Sequence, residues 1–336
     1  MDDRRLLRRI SGHTARMLLC NIALQFLLTF LLEGLVMLAL ALPDILALPD
    51  VSLSAVWALM LDAGGRSVLL TTGAGYVLVA LIMLCANLLP TLRCAKKLSL
   101  TPRALFGESV PTARRTGWYV ALALGLNTFG ILIYNLLNTL LSAFRVEAEG
   151  SAASLPADSL WGAVAYVLFA CLIAPVTEEL IFRGVVLHAL KPYGGLFAAL
   201  ASSLLFALIH GNFEQIPLTF MIGMLLSYVT LQTGNIRLAV RLHFINNAYA
   251  VATEILMLAL PEQFLLFGGL LGYLNLGLMV FALWTLIARR REIHFESLAP
   301  RTAQVERPGR SYFTTFSMLL YFLVVAALIA LTFRTF

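Results

Sequence analysis

The sequence predicts an all-α, polytopic membrane protein with about nine transmembrane helices, and three observations carry that prediction. Of its 336 residues, 60% are hydrophobic and only 12% are charged, and the mean hydropathy is +0.88. These values take the chain out of the range of soluble globular proteins. Apolar runs of about 20 residues, the length that crosses the hydrocarbon core as a helix, recur along the whole chain and leave no stretch for a separate soluble domain. The basic residues are also distributed asymmetrically between alternate loops.

The spans fall at residues 17–42, 67–92, 117–143, 159–180, 195–212, 215–233, 239–260, 263–287 and 313–333. The first follows Arg4, Arg5, Arg8, Arg9 and Arg16. Ala39 and Ala41 in its "LALAL" have the spacing of a signal-peptidase site. Its apolar region is too long for a signal peptide, so it reads as an uncleaved anchor. The loop 43–66, with Pro43, Pro49, Gly64 and Gly65, suits a short interfacial helix.

Arg93, Lys96, Lys97, Arg103, Arg114 and Arg115 separate the second and third spans, whereas Asp44, Asp50, Asp62, Glu147, Glu149 and Asp158 lie mostly in the opposite loops. The fourth and fifth spans are joined by the turn signal "KPYGG", Lys191 to Gly195. The seventh begins near Arg237 and Arg241, and the eighth is followed by a basic linker, 288–312, that carries Arg289, Arg290, Arg291, Arg301, Arg307 and Arg310 before the ninth.

All 24 basic residues except Arg66, Arg145 and Arg334 thus fall on one side, which predicts a cytoplasmic N-terminus. The net charge of +6 is then an orientation signal and a contact with anionic lipid heads, with no nucleic-acid partner. Cys20, Cys85, Cys94 and Cys171 lie in or beside spans without CxxC spacing, as packing residues. The organisation expected is an N-terminal membrane region, 1–158, with three helices, a core at 159–260, and C-terminal helices with their linker at 261–336.

Ionisable groups inside a membrane cost about 2.5–3.5 kcal/mol each on insertion scales, so each asks for a partner or a function. The chain gathers three clusters between residues 178 and 247. In "APVTEELIFRG", Glu179 and Arg183 are spaced i, i+4 and can pair along one helix face, which leaves Glu178 without a neutraliser on its own helix. In "FALIHGN", His210 follows Phe206 by one turn. Glu178 and His210 lie 16 residues before and after Gly194, so an antiparallel hairpin would bring them to one height. In "RLHFINNAYA", His243 and Asn247 share a face, and Asn246 points elsewhere. Each cluster alone could be a solvated helix end or interhelical polar glue, but three within one short region favour a site.

The ordered set Glu178-Glu179-x-x-x-Arg183, Phe206-x-x-x-His210 and His243-x-x-x-Asn247 resembles the EExxxR, FxxxH and HxxxN motifs of the CAAX protease and bacteriocin-processing family (CPBP, or Abi). That family includes the type II CAAX prenyl endopeptidases. The resemblance covers about residues 159–260 and implies a CAAX-protease-like helical core with metal-independent endopeptidase activity. Glu178 would be the base that activates water, His210 would orient that water, and His243 and Asn247 would donate to the oxyanion. Glu179 and Arg183 would form a structural ion pair, with Phe206 packed beneath His210.

No cofactor is expected. A zinc ion on Glu178, His210 and His243 is the alternative metalloenzyme reading, although HExxH is lacking and Asn247 is a poor ligand. Ser202 and Ser203 have no GxSxG context. A non-catalytic immunity factor, transporter or scaffold is the alternative from another class. A transporter would be expected to show internal repeats, which are absent. Glu33, Asn127, Asn135, Asn138 and Glu254 fall outside the motifs.

The partners implied are membrane lipids and a peptide or protein substrate, such as a prenylated C-terminus or a leader peptide, and the location implied is a bacterial plasma membrane. At about 1.5 Å per residue, His210 stands some 24 Å from the 194 turn. A site shared with His243 therefore requires the 184–193 hairpin to project into the cytoplasm.

Overall fold

The computed structural model describes residues 2–48, 50, 52–66, 73–101, 105–106, 116–148, 155 and 159–335. Arg103, Arg114, Arg115, Glu149, Asp158 and the first residues of the second predicted span lie outside the described residues. Helices dominate: α1 Asp3–Leu46, α2 Leu53–Arg66, α3 Gly73–Lys97, α4 Thr116–Ser142, α5 Leu160–Tyr193, α6 Gly195–Leu208, α7 Gln215–Thr233, α8 Arg237–Ala259, α9 Pro261–Ala288, α10 Phe295–Leu298, α11 Pro308–Phe313 and α12 Phe316–Ala330. One antiparallel strand pair, β1 Val146–Ala148 with β2 Phe333–Thr335, joins the loop after α4 to the chain's end.

Six of these helices, α1, α3, α4, α5, α7 and α9, are long and apolar enough to cross a membrane, so the chain is a multi-pass membrane protein. The other three predicted spans differ for identifiable reasons. Helix α6 has 14 residues and α12 has 15, below the 17 or so that span hydrocarbon unaided. Helix α8 has 23 residues, but Arg237, Arg241, His243, Asn246 and Asn247 dilute its apolar character.

Helix α1, with 44 residues, would be about 66 Å long, twice the hydrocarbon thickness. Its two ends behave differently. Leu7, Ile10, Ala15, Leu18 and Ile22 are buried in the main core, whereas Phe26, Phe30 and Leu35 stand exposed as lipid-facing residues do. The buried half is pinned to the C-terminal helices: Ser11 Oγ donates to the Tyr312 carbonyl at 2.5 Å and lies 2.6 Å from Thr315 Oγ1, and Thr14 Oγ1 lies 2.8 Å from Tyr312 Oη.

The α5–α6 turn closes at Gly194, whose φ of 114° disfavours any residue with a Cβ. This turn is covered by the segments the sequence assigns to the cytoplasm. The Pro192 carbonyl accepts from the backbone N–H of Thr302 and Ala303, Gly195 N donates to the Ala299 carbonyl, and Tyr193 Oη donates to the Asp3 carbonyl. The basic linker is thus folded onto the core.

Helix α4 approaches its neighbours backbone to backbone. A Cβ on Gly125 would lie 2.2 Å from the Leu278 carbonyl oxygen of α9, and one on Gly130 would lie 2.3 Å from Leu218 Cα of α7. Small residues permit such contacts between membrane helices. Gly130→Val is therefore expected to destabilise the protein by about 1–3 kcal/mol or more through overpacking, read as an earlier unfolding midpoint in detergent. Gly117→Val, where a Cβ meets nothing within 4 Å, is expected to change the midpoint little.

Candidate active site

The residues singled out in the sequence sit on α5, α6 and α8, and α5 is not a regular helix where it carries them. Residues Phe169–Ile173 and Leu180–Leu187 wind as π-helix, with a short α-helical segment, Ala174–Glu179, between them that carries Pro175 in its first turn. Proline lacks a backbone N–H, and a π-turn shifts carbonyls out of the regular ladder. Neighbouring helices supply donors to two carbonyls of these segments. Asn247 Nδ2 donates to the Ala170 carbonyl at 2.8 Å, and Ser202 Oγ to the Phe182 carbonyl at 2.8 Å. Asn247 thereby braces the approach to the glutamates with one amide hydrogen, and the second remains for another acceptor.

Glu179 and Arg183 have no exposed side-chain surface and meet at 2.9 Å, Oε1 to Nη1. Arg183 also donates from Nη2 to the Gly223 carbonyl of α7 at 3.0 Å and lies over the Phe206 ring, 4.6 Å from its centroid. Glu179 Oε1 has a second partner that sequence spacing did not show, His243 Nδ1 at 3.0 Å. An ionised carboxylate only accepts, so Nδ1 carries the hydrogen and the imidazole Nε2 is directed away from Glu179. On that side stands Glu178, whose Oε2 is 3.7 Å from Nε2.

The two adjacent carboxylates are therefore in different environments. Glu179 is sealed, with Oε2 buried and unpartnered, whereas the Glu178 side chain keeps 22% of its surface accessible. Phe206 sits at the centre of the cluster, edge-on to both histidines, with centroids 5.1 Å from His210 and 5.6 Å from His243. His210 Nδ1 is 2.8 Å from the Phe206 carbonyl, an acceptor, so Nδ1 donates and a neutral His210 is left with Nε2 to accept a proton or a water hydrogen. The structure brings a residue of each cluster, Arg183, His210 and His243, against the one phenyl ring of Phe206.

Asn246 is buried beside Asn247, with its Oδ1 unpartnered. Ser203 Oγ is 3.3 Å from Ser227 Oγ, a helix-to-helix contact. Glu254 lies far along α8 and accepts from Leu155 N at 2.7 Å and Tyr166 Oη at 3.3 Å. Asn138 Oδ1 accepts from Ala148 N at 3.0 Å, at the strand pair. Among the described residues, no group of three His, Cys, Asp or Glu side chains is placed to hold a metal ion.

Sequence reasoning missed a polar ladder that reaches this site from outside the motifs. Asn21 Nδ2 on α1 donates to Asn87 Oδ1 on α3 at 2.6 Å, and Asn87 Nδ2 donates to Thr177 Oγ1 at 2.8 Å, one residue before Glu178. The signal was available: Asn21 and Asn87 are amides inside apolar spans, where a polar group needs a partner.

Residues 160–249 match the family described as type II CAAX prenyl endopeptidase Rce1-like. The chain is 29% identical over 98 residues to the membrane-embedded CAAX protease MroQ of Staphylococcus aureus, across 27% of this chain and 40% of that protein. The match thus spans about two fifths of the relative's length. No solved structure matches the chain.

Proposed function

We propose that this chain is an intramembrane glutamate-dependent endopeptidase, a reading supported by the similarity of residues 160–249 to the type II CAAX prenyl endopeptidase Rce1-like family. The observation that carries the reading is the divergence of Glu178 and Glu179: one carboxylate is sealed against Arg183 and His243 Nδ1, and the other is partly accessible beside His243 Nε2.

Peptide hydrolysis needs a base for water and donors for the oxyanion. Glu178 takes the proton from a water whose second hydrogen is accepted by His210 Nε2. The hydroxide attacks the carbonyl carbon, and the negative charge moves to the carbonyl oxygen. His243, in its imidazolium form, donates from Nε2 to that oxygen, and the free amide hydrogen of Asn247 is the second donor. Glu179 holds the His243 ring by Nδ1 and stabilises its positive charge, the role a buried carboxylate plays toward a catalytic histidine. Collapse of the tetrahedral adduct returns the proton from Glu178 to the leaving amine. The flanking regions, 1–158 and 261–336, brace this core, and the substrate is a membrane-associated peptide, either lipidated or a leader sequence.

Cleavage of a panel of tagged lipidated and leader peptides by purified protein in liposomes tests this reading. At least one peptide is expected to be cut, and His243→Ala is expected to abolish cutting without loss of folded protein. Activity that survives His243→Ala would overturn the mechanism. A chelator is expected to leave the rate unchanged; a loss restored by added zinc would transfer the chemistry to a metal.

A further inference from the structure

On the face of α7 that turns away from Arg183 and Phe206 there is a cavity of about 320 Å³ between α4, α7 and α9. Its lining changes character along its depth, and the change has the same sense on α4 and α7. Trp118 and Tyr119 at the start of α4, Tyr228 and Gln232 at the end of α7, and Arg289 just past α9 line one end, whereas Leu122, Leu126, Met221 and Leu225 lie further into the helices. From Trp118 to Leu126 the depth is about 12 Å along the helix axis. A cavity with an apolar floor and a polar rim at the helix ends matches an amphiphile oriented as lipids are.

Two polar groups give the occupant's head. Arg289 lies over the Trp118 ring, 5.3 Å from its centroid, and its contact with Glu292 is a 3.8 Å pair between exposed groups, which contributes little. Arg290 and Arg291 follow directly, so Glu292 is outnumbered and the rim is cationic. Thr285, one turn deeper on α9, is 1% exposed, lines the cavity, and has its hydroxyl buried without a hydrogen-bond partner. An unpaired buried hydroxyl is costly, and Thr285 precedes Arg289 by four residues, a rise of about 6 Å along the helix axis.

We propose that this cavity is a binding site for one acyl chain of an anionic phospholipid, with the phosphate on Arg289, an ester carbonyl accepting from Thr285, and the chain against Leu122 and Leu225. The spacing of a cation at the rim and a donor one turn below fits a phosphate and the ester that follows it. The site lies behind α7, whose Gly223 carbonyl receives Arg183, so the lipid stiffens a wall of the catalytic cluster without entering it.

Trp118 provides the readout. With Trp57, Trp161 and Trp284 changed to Phe, the remaining indole reports on the cavity in liposomes that contain brominated phosphatidylglycerol or brominated phosphatidylcholine. Half-quenching by the anionic lipid is expected at an about fivefold lower mole fraction, the worth of one cation near an anionic surface. Arg289→Gln is expected to erase that preference and Arg290→Gln, which does not line the cavity, to preserve it; Thr285→Val is expected to weaken quenching by both lipids. Equal quenching by the two lipids, or a preference that survives Arg289→Gln in folded protein, overturns the proposal. Quenching by a brominated fatty acid with none by phosphatidylglycerol overturns it in favour of a free fatty acid. None of these readings depends on peptide cleavage.

Discussion

Glu178→Gln is expected to lower the rate of peptide cleavage by about 10²–10⁴-fold, the contribution of a positioned general base, with the fold intact. The substitution keeps the shape of the side chain and removes its ability to take a proton. Among the described residues the Glu178 side chain makes no close hydrogen bond, and its charged partner there is His243, with Nε2 at 3.7 Å. Stability is therefore expected to change by no more than about 1 kcal/mol, because the substitution breaks no hydrogen bond of the Glu179–Arg183–His243 network.

Glu179→Gln is the informative contrast. Its Oε1 serves both Arg183 and His243, so neutralisation loosens the histidine and lowers cleavage together with the unfolding midpoint. Cleavage in liposomes and thermal unfolding, measured on the same preparations, separate the two: Glu178→Gln moves the first alone. If Glu179→Gln were the variant that lost only activity, the roles of the two carboxylates would have to be exchanged. Asn247→Ala is expected to cost about 10²–10³ in kcat through the oxyanion. It also removes the brace on the Ala170 carbonyl, so its midpoint is expected to fall as well.

How far the sequence shows this site follows from what spacing encodes. An i, i+4 relation on one helix is local, and the Glu179–Arg183 pair was legible from it. The turn signal KPYGG made the α5–α6 turn at Gly194 legible too. The contact of Glu179 with His243 joins residues 64 apart, and nothing periodic records it. The π-helical segments of α5 were equally hidden, because a π-turn is set by the packing of neighbours such as Asn247 and Ser202 more than by composition.

Span counting meets a physical boundary at the shorter helices. Apolarity over about 20 residues identifies a helix that can face lipid along its length, and α1, α3, α4, α5, α7 and α9 meet that test. Protein covers one side of α6 and α12, where Leu205, Phe206 and Ala199, and Met318, Tyr321 and Val325, are buried, whereas Leu196 and Leu200 of α6 and Leu319 and Leu323 of α12 are exposed. A buried helix and a short span are alike in sequence.

The largest expected effect on stability is at Arg183. Its guanidinium is fully enclosed, with Nη1 on Glu179 and Nη2 on the Gly223 carbonyl, and it forms the side of the cluster that faces Phe206. Arg183→Met keeps much of the volume and removes the charge, which leaves Glu179 as a buried carboxylate with only His243 beside it. Breaking a buried pair in this way costs about 3–5 kcal/mol, so the variant is expected to unfold well before the wild type in a denaturant or thermal titration in detergent. The double variant Glu179→Gln/Arg183→Met removes both charges and is expected to be more stable than Arg183→Met alone, because no uncompensated ion remains. A double-mutant cycle reads this as a coupling at or above the usual 0.5–3 kcal/mol range for residues in contact. Additive losses would mean that Arg183 acts through Gly223 and Phe206 and that the charge of Glu179 is held by His243. In that case the histidine would be the structural cation, and the proposed oxyanion role of its Nε2 would have to be reassigned.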